Sequence, residues 1–370
     1  MTYDKSLVEK ISGQNDIVDI ISSYVSLSGN GQDYFGLCPF HGEKMPSFYV
    51  NRNKQTYYCF GCHRGGNIYT FMMDYKHIHF SEALEELAEK SKIQLPKKKM
   101  SAEEQQNIIA KRRLSEMNRY TAAYFHHALK EKRGEKAMEY LKKRGLTDQT
   151  VRQFGLGYSD YAKDDLYRYL KSKGFSDDDM RYSSLVTIDG QKGNRDRFFN
   201  RVMFPIVDTG NRIIGFGGRV TDDGSPKYLN SGETVLFDKG SNLYGLNYAK
   251  KTKEKYLILC EGYMDVISLY QAGFTNAVAP LGTALTERQA MLLKRYTNHV
   301  VLSFDSDDAG KKAALRAIPI LREAGIQGRV LSMAPYKDPD ELIRGSGAKE
   351  YMNRIRTSVS GKEFEEKNQQ

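Results

Sequence analysis

Two acidic groups follow short apolar runs without a break. Leu257-Ile258-Leu259-Cys260 leads into Glu261-Gly262, and Val300-Val301-Leu302-Ser303-Phe304 leads into Asp305-Ser306-Asp307-Asp308. Asp338-Pro339-Asp340-Glu341 adds another acidic group after the apolar run from Gly328 to Met333. Carboxylates gathered without a cation among them repel one another, and an oxygen-seeking divalent ion, Mg²⁺ or Mn²⁺, relieves that repulsion. Bland readings stand beside this one. Asp265 could lie near Glu261 on the first turn of a helix, or serve only as an acid at a helix N-terminus. Asp307 or Asp308 could simply cap the helix that follows. Two or three acids directly after a buried strand nevertheless exceed what capping needs.

The elements that would position these acids are legible in outline. Apolar runs at 257–260, 277–279, 300–304 and 328–333 alternate with helical patterns. Short buried strands alternating with helices predict a largely parallel sheet covered on both faces. Ligands of such sheets bind beyond the carboxyl ends of the strands, where these acids fall. Thr286-Glu287-Arg288-Gln289 reads as a capping box.

A second constellation lies near the start. Cys38-Pro39-Phe40-His41 and Cys59-Phe60-Gly61-Cys62 are separated by seventeen residues. Two knuckles at this spacing predict one closed, tetrahedral Cys₃His zinc site, with His63 as a weaker competitor for the fourth place. The stretch between them reads as a hairpin, Ser47 to Val50 and Thr56 to Tyr58. Its Phe48, Tyr49, Arg52, Lys54, Tyr57 and Tyr58 suit single-stranded nucleic acid, or else form a small core and a solvated turn. His77 and His79 read as surface or satisfied histidines, and Cys260 as a buried, inert thiol.

At 370 residues the chain can hold two or three domains, and its formal charge of +10 favours a polyanionic partner. The excess concentrates in Lys97 to Gly145, which holds 14 Lys or Arg against 6 Glu. There is no bilayer-length apolar run and no signal sequence, so a cytoplasmic protein with no membrane partner is expected. Residues 4–27 read as two short amphipathic helices, and 101–132 as a long helix. Lys97-Lys98-Lys99 reads as a basic tether, 146–185 as short helices, and the tail after Ser358 as frayed. Between them, Arg197, Arg201, Arg212 and Arg219 punctuate two strand-like runs, Val202 to Val207 and Ile213 to Gly218, joined by a Thr209-Gly210-Asn211 turn. Arginines beside glycine-rich edges suit a triphosphate or a nucleic-acid backbone.

With these motifs in place, the chain resembles the bacterial DnaG-type DNA primases from about Asp4 to Arg344. The resemblance rests on the two zinc knuckles, on Arg201-Val202-Met203-Phe204-Pro205-Ile206, Ile214-Gly215-Phe216-Gly217-Gly218-Arg219 and Pro226-Lys227-Tyr228-Leu229-Asn230-Ser231, and on the acidic motifs. It implies an α+β and α/β multidomain fold. The zinc ribbon would occupy 1–95, a basic linker 96–110, a mixed α+β subdomain 111–252, a Toprim α/β domain 253–345 and a truncated helical tail 346–370. It implies that Glu261, Asp265, Asp305, Asp307, Asp338 and Asp340 hold catalytic metal, with Glu261, Asp305 and Asp307 central to the chemistry. Arg197, Arg201, Lys227, Asn230 and Lys239 would grip template or nucleotide phosphates. The implied activity is copying of single-stranded DNA into short RNA from ribonucleoside triphosphates, giving an RNA–DNA hybrid. A replicative helicase is a possible partner, although the family's helicase-binding domain is absent from these residues. Two motifs depart from the family: Phe199 stands where a further Arg is usual, and Ser306 and Asp308 stand where Gly and Arg are usual. The rival readings are a Toprim nuclease and a single-strand binder without catalysis.

Overall fold

A computed structural model describes residues 4–76, 78, 80–95, 101–191, 193–222 and 224–368. His77, His79 and the Lys97–Lys99 tether lie outside them. The chain forms two compact units, Met1–Met100 and Ser101–Gln370.

In the first unit, helices α1 (Lys5–Gly13) and α2 (Ile17–Ser22) precede a five-stranded antiparallel ribbon. Its strands are β1 (Leu27–Asn30), β2 (Asp33–Gly36), β3 (Phe48–Asn51), β4 (Thr56–Cys59) and β5 (Gly65–Gly66). Helices α3 (Ile68–Lys76) and α4 (Phe80–Lys90) follow. Asp16 caps α2, and the neighbouring Asn15 is buried and donates to the carbonyls of Ile11 and Leu87. One cluster holds the unit together: Ile17, Ile21, Phe48, Tyr57, Phe71 and Leu84 are all essentially inaccessible.

The second unit opens with the 29-residue α5 (Ala102–Lys130), started by a Ser101–Glu104 capping box. Residues 102–110, expected in a linker, are therefore helical. α6 (Glu135–Lys143) and α7 (Asp148–Gln153) lead to β6 (Gly157–Ser159), a strand in the region expected to be only helices. Three residues are too few to show a period. Gly157 lies so close to α5 that a Cβ there would sit 2.5 Å from Phe125 Cβ. Then come α8 (Asp165–Ser172), α9 (Asp177–Arg181) and the small ribbon of β7 (Val186–Thr187) and β8 (Arg195–Asp196). The expected hairpin forms from β9 (Arg201–Val207) and β10 (Ile213–Val220), and with β11 (Tyr228–Asn230) it gives a sheet of order β11-β10-β9-β6.

After α10 (Leu246–Ala249) the acid-bearing sheet begins with β12 (Leu257–Leu259) and helix α11 (Tyr263–Gln271). β13 (Ala277–Val278), α12 (Glu287–Lys294), β14 (His299–Leu302), α13 (Asp308–Glu323) and β15 (Gln327–Val330) continue the alternation. The order is β13-β12-β14-β15-β16, and the first four strands are mutually parallel. One hydrophobic cluster runs from Phe204, Ile206 and Ile214 of the basic sheet to Ile258, Tyr263 and Val301 of the acidic one. The two sheets thus share a core.

The tail after Ser358, expected to be frayed, is folded through residue 368. α14 (Pro339–Thr357), broken at Gly347, is followed by β16 (Val359–Ser360), which pairs antiparallel with β15, and by α15 (Gly361–Asn368). Charged residues on the outer face of α15 made the tail look solvated, but Val359 and Phe364 pack on the sheet's core. Phe364→Ala should cost about 2 kcal/mol of unfolding free energy in urea titrations. A change below about 0.3 kcal/mol would mean that α15 does not dock.

Candidate functional site

The zinc knuckles close on one point. The four ligand atoms of Cys38, His41, Cys59 and Cys62 lie within 4.8 Å of one another. Cys38 Sγ is 3.8 Å from Cys62 Sγ, and Cys59 Sγ is 3.8 Å from His41 Nδ1. Metal–sulfur bonds of about 2.3 Å in a tetrahedron require ligand edges of about 3.8 Å, so the set fits zinc. Backbone N–H groups of Phe40, Gly61 and Cys62 point at the sulfurs and favour thiolates. Burial raises the Cys59 thiol, but bonds from Ser47, Cys62 and Gly61 outweigh it and bring the thiol down to about 7. Cys38, where burial dominates, is pushed up to about 12. His63 sits outside the cluster and bonds to Tyr58.

Glu43 organises this centre, and the knuckle spacing did not reveal it. Its carboxylate lies 3.3 Å from His41 Nε2, leaving Nδ1 to face the sulfurs. It also accepts from the backbone of Cys38 and from Ser47 Oγ. Such outer partners fix the ligand's ring and tautomer. Gly61 is needed beside the ring: a Cβ there would sit 2.5 Å from His41 Nε2.

The acids meet at the carboxyl edge of the parallel sheet. Leu259, Leu302 and Val330 end their strands in register. The chain then delivers Glu261, Asp305 and the loop ending at Asp338, the N-cap of α14, to one level. Asp305 N donates to Glu261 Oε1 at 2.9 Å, and Ser306 N donates to Lys337 O at 2.8 Å. Gly310 lets α13 approach this loop, since a Cβ there would fall 2.1 Å from Asp305 O. Glu261, Asp265, Asp305 and Asp338 line a cleft of about 510 Å³ together with Lys227, Asn230, Arg144, Arg219, Lys337 and Arg344.

Three of the acids also have a local partner. Asp265 accepts from Gly262 N, Asp307 from Gly310 N and Asp338 from Glu341 N. The capping roles are thus real, and each uses a single carboxylate oxygen. Among the described residues, no three carboxylates converge as the zinc ligands do. Their charges are felt all the same. Burial, then Glu261, Asp338 and Asp307, push Asp305 up to about 6. Burial, then Asp338, Asp305 and Asp340, hold Asp265 well above the usual carboxylate range. Asp340 is fully buried and paired with Arg144 at 2.7 Å and Arg344 at 3.2 Å.

The expected cationic residues divide. Lys227 and Asn230 line the cleft, and Asn230 is clamped by Tyr263 OH at 2.7 Å and by its own bond to Leu281 O. Arg197 lies behind them and donates to Asn230 O. Arg201 is buried against Gly218 O, and Lys239 starts a 3₁₀ turn whose backbone is held by Glu233 and Gln289. Neither lines the cleft. Phe199 is half exposed, and Cys260 is buried with its thiol pushed well up by burial. Arg219 is pinned between the rings of Tyr140 and Tyr228, 4.4 and 5.8 Å from their centroids.

Family models match three stretches: a CHC2 zinc finger at 3–103, a DNA primase catalytic core N-terminal domain at 124–250 and a Toprim-like domain at 258–343. The DNA primase of Clostridium acetobutylicum is 46% identical over 96% of this chain, and that of Pseudomonas putida 41% over 95%. The zinc-binding and RNA polymerase domains of the Aquifex aeolicus primase superpose with TM-score 0.63 at 36% identity, covering 97% of this chain and 86% of that one. The chain belongs to the DnaG-type DNA primase family. A DnaG primase catalytic domain bound to single-stranded DNA is also similar, with TM-score 0.64 at 34% identity over 70% of this chain and 82% of that one. The chain spans 59% and 54% of the lengths of the two curated primases. As in a primase zinc ribbon, the Cys₃His set is a site for structural zinc.

Glu43→Gln should lower zinc affinity about 10-fold in a chelator competition. Removing zinc should expose residues 33–66 to proteolysis while residues 101–368 stay resistant. Equal resistance of both units after chelation would contradict the zinc assignment.

Proposed function

We propose that this chain is a DNA-directed RNA polymerase, copying single-stranded DNA into short RNA from ribonucleoside triphosphates during replication in the cytoplasm. One observation carries this reading. A single cleft holds four carboxylates, two of them pushed upward by burial and then by their acidic neighbours, together with Lys227, Arg219, Arg144 and Arg344. A triphosphate with its divalent cations matches both halves of that charge pattern. The donor set fits Mg²⁺ or Mn²⁺: Glu261, Asp307 and Asp338 each fix one oxygen on an N–H and leave the other to ligate. These residues, with Asp305 and Asp265, would hold the metal. When bound, the metal supplies charge stabilisation at the triphosphate and activation of the primer 3′-hydroxyl.

The chain's own residues do the positioning. Lys227 and Arg219 bind phosphate oxygens, and Asn230, locked by Tyr263, fixes the cleft's far rim. Arg197 and Arg201 support that rim through carbonyls of β11 and β10. No side chain need act as a general base, so charge and orientation dominate. The zinc ribbon offers a template platform. Phe35, Tyr49, Phe60 and Tyr58 form a row with ring centroids 5.2 to 6.2 Å apart. Phe35, Tyr58 and Phe60 are exposed. Such rings stack bases without regard to sequence, and the growing RNA–DNA hybrid is the product.

Asp305→Asn should lower RNA synthesis on single-stranded DNA by about 10³-fold while leaving the fold and DNA binding intact. Degradation of the template without nucleotides would favour a nuclease, and undiminished synthesis by the variant would overturn the site. Metal binding must displace the proton held by Asp305. The Mg²⁺ concentration for half-maximal synthesis should therefore fall as pH rises through about 6.

A further inference from the structure

Asp340 differs from the other acids in what surrounds it. Its side chain is wholly inaccessible, while Glu261 is exposed. Oδ2 receives Arg144 Nη2 at 2.7 Å, and both Nη2 and Nε of Arg344 at 3.2 Å. Arg344 sits one helical turn beyond Asp340 on α14, so the pair is a local i,i+4 match. Arg144 arrives from the far side, as the residue closing α6. Oδ1, Arg144 Nε and Tyr140 OH are buried near these groups without partners among the described residues. A divalent ion on Oδ1 would lie against two guanidiniums that repel it, and ligation by Oδ2 would break both ion pairs. Both arginines line the cleft.

We propose that Asp340 is a positioning residue and not a metal ligand: buried between Arg144 and Arg344, it aims both guanidiniums at the phosphates of the cleft's ligand. The inference rests on the cleft reading above. Without the carboxylate, two adjacent guanidiniums would repel each other and splay. With it, they become a fixed fork carrying a net positive charge beside the acids. Phosphate could come from two sources, the template backbone or the nucleoside triphosphate, and the shared chemistry is a bidentate guanidinium–phosphate contact.

The test compares Asp340→Asn with Asp305→Asn in the full chain. Mn²⁺ binding is measured by electron paramagnetic resonance. Binding of a labelled oligodeoxynucleotide and of ATP is measured by anisotropy and calorimetry without metal. Asp305→Asn should weaken Mn²⁺ binding at least 10-fold, and failure there would sink the metal-site reading itself. Asp340→Asn should leave Mn²⁺ affinity within 2-fold and weaken one anion at least 5-fold. Loss confined to the oligonucleotide would assign the fork to template, and loss confined to ATP to the incoming nucleotide. Weakened Mn²⁺ binding with Asp340→Asn, or unchanged binding of both anions, overturns the proposal. If Asp340→Asn does not fold, Arg144→Lys keeps the charge and removes the fork. It should show the same anion loss with Mn²⁺ binding unchanged, and retention of full anion binding would again overturn it.

Discussion

Crowding of negative charge at one sheet edge is the constraint around which the second unit is built. Three parallel strands end in register, and their loops place Glu261, Asp305 and Asp338 at the same height. Burying and crowding such a group costs free energy in the absence of cations: burial first, then the neighbouring carboxylates, raise the Asp305 and Asp265 carboxyls. The fold offsets part of that cost locally. Glu261, Asp265, Asp307 and Asp338 are each tied to a backbone N–H, which also fixes their orientation. Orientation established before a ligand arrives is what a positioning site requires.

The cations reach the same cleft by a different route. They come from β10, the residue before β11, the C-terminal end of α6 and α14, and the core shared by the two sheets holds them opposite the acids. Phe204 stacks on Tyr263 at 5.2 Å, and Tyr263 in turn clamps Asn230. A shift of the basic sheet would therefore pull on the first turn of the helix that carries Asp265. Packing, not a hinge, sets the distance between the two halves of the cleft.

Much of this was legible in the sequence for plain reasons. A buried parallel strand is a short apolar run, and a functional loop follows its carboxyl end, so Glu261, Asp305 and Asp338 announced themselves. Zinc knuckles are local, and their spacing sufficed for Cys38, His41, Cys59 and Cys62. What escaped was tertiary. Arg144 closes a helix far from the acids in sequence and meets Asp340 only in the folded unit. Glu43 lies outside both knuckles yet orients His41. β6 is too short to carry a pattern, and α15 hides one packing aromatic, Phe364, among charges. Arg201 and Lys239 had the right residue type in the right motif, but the first is spent on a buried carbonyl and the second lies outside the cleft's lining.

Mapping the metal directly would test the central claim. Fe²⁺ substituted for Mg²⁺, with ascorbate and hydrogen peroxide, generates hydroxyl radicals that cut the backbone beside the bound ion. The account predicts cuts at 261–265, 305–307 and 338, all suppressed by excess Mg²⁺. Cuts confined to other segments, or none that Mg²⁺ suppresses, would contradict a catalytic metal at this sheet edge.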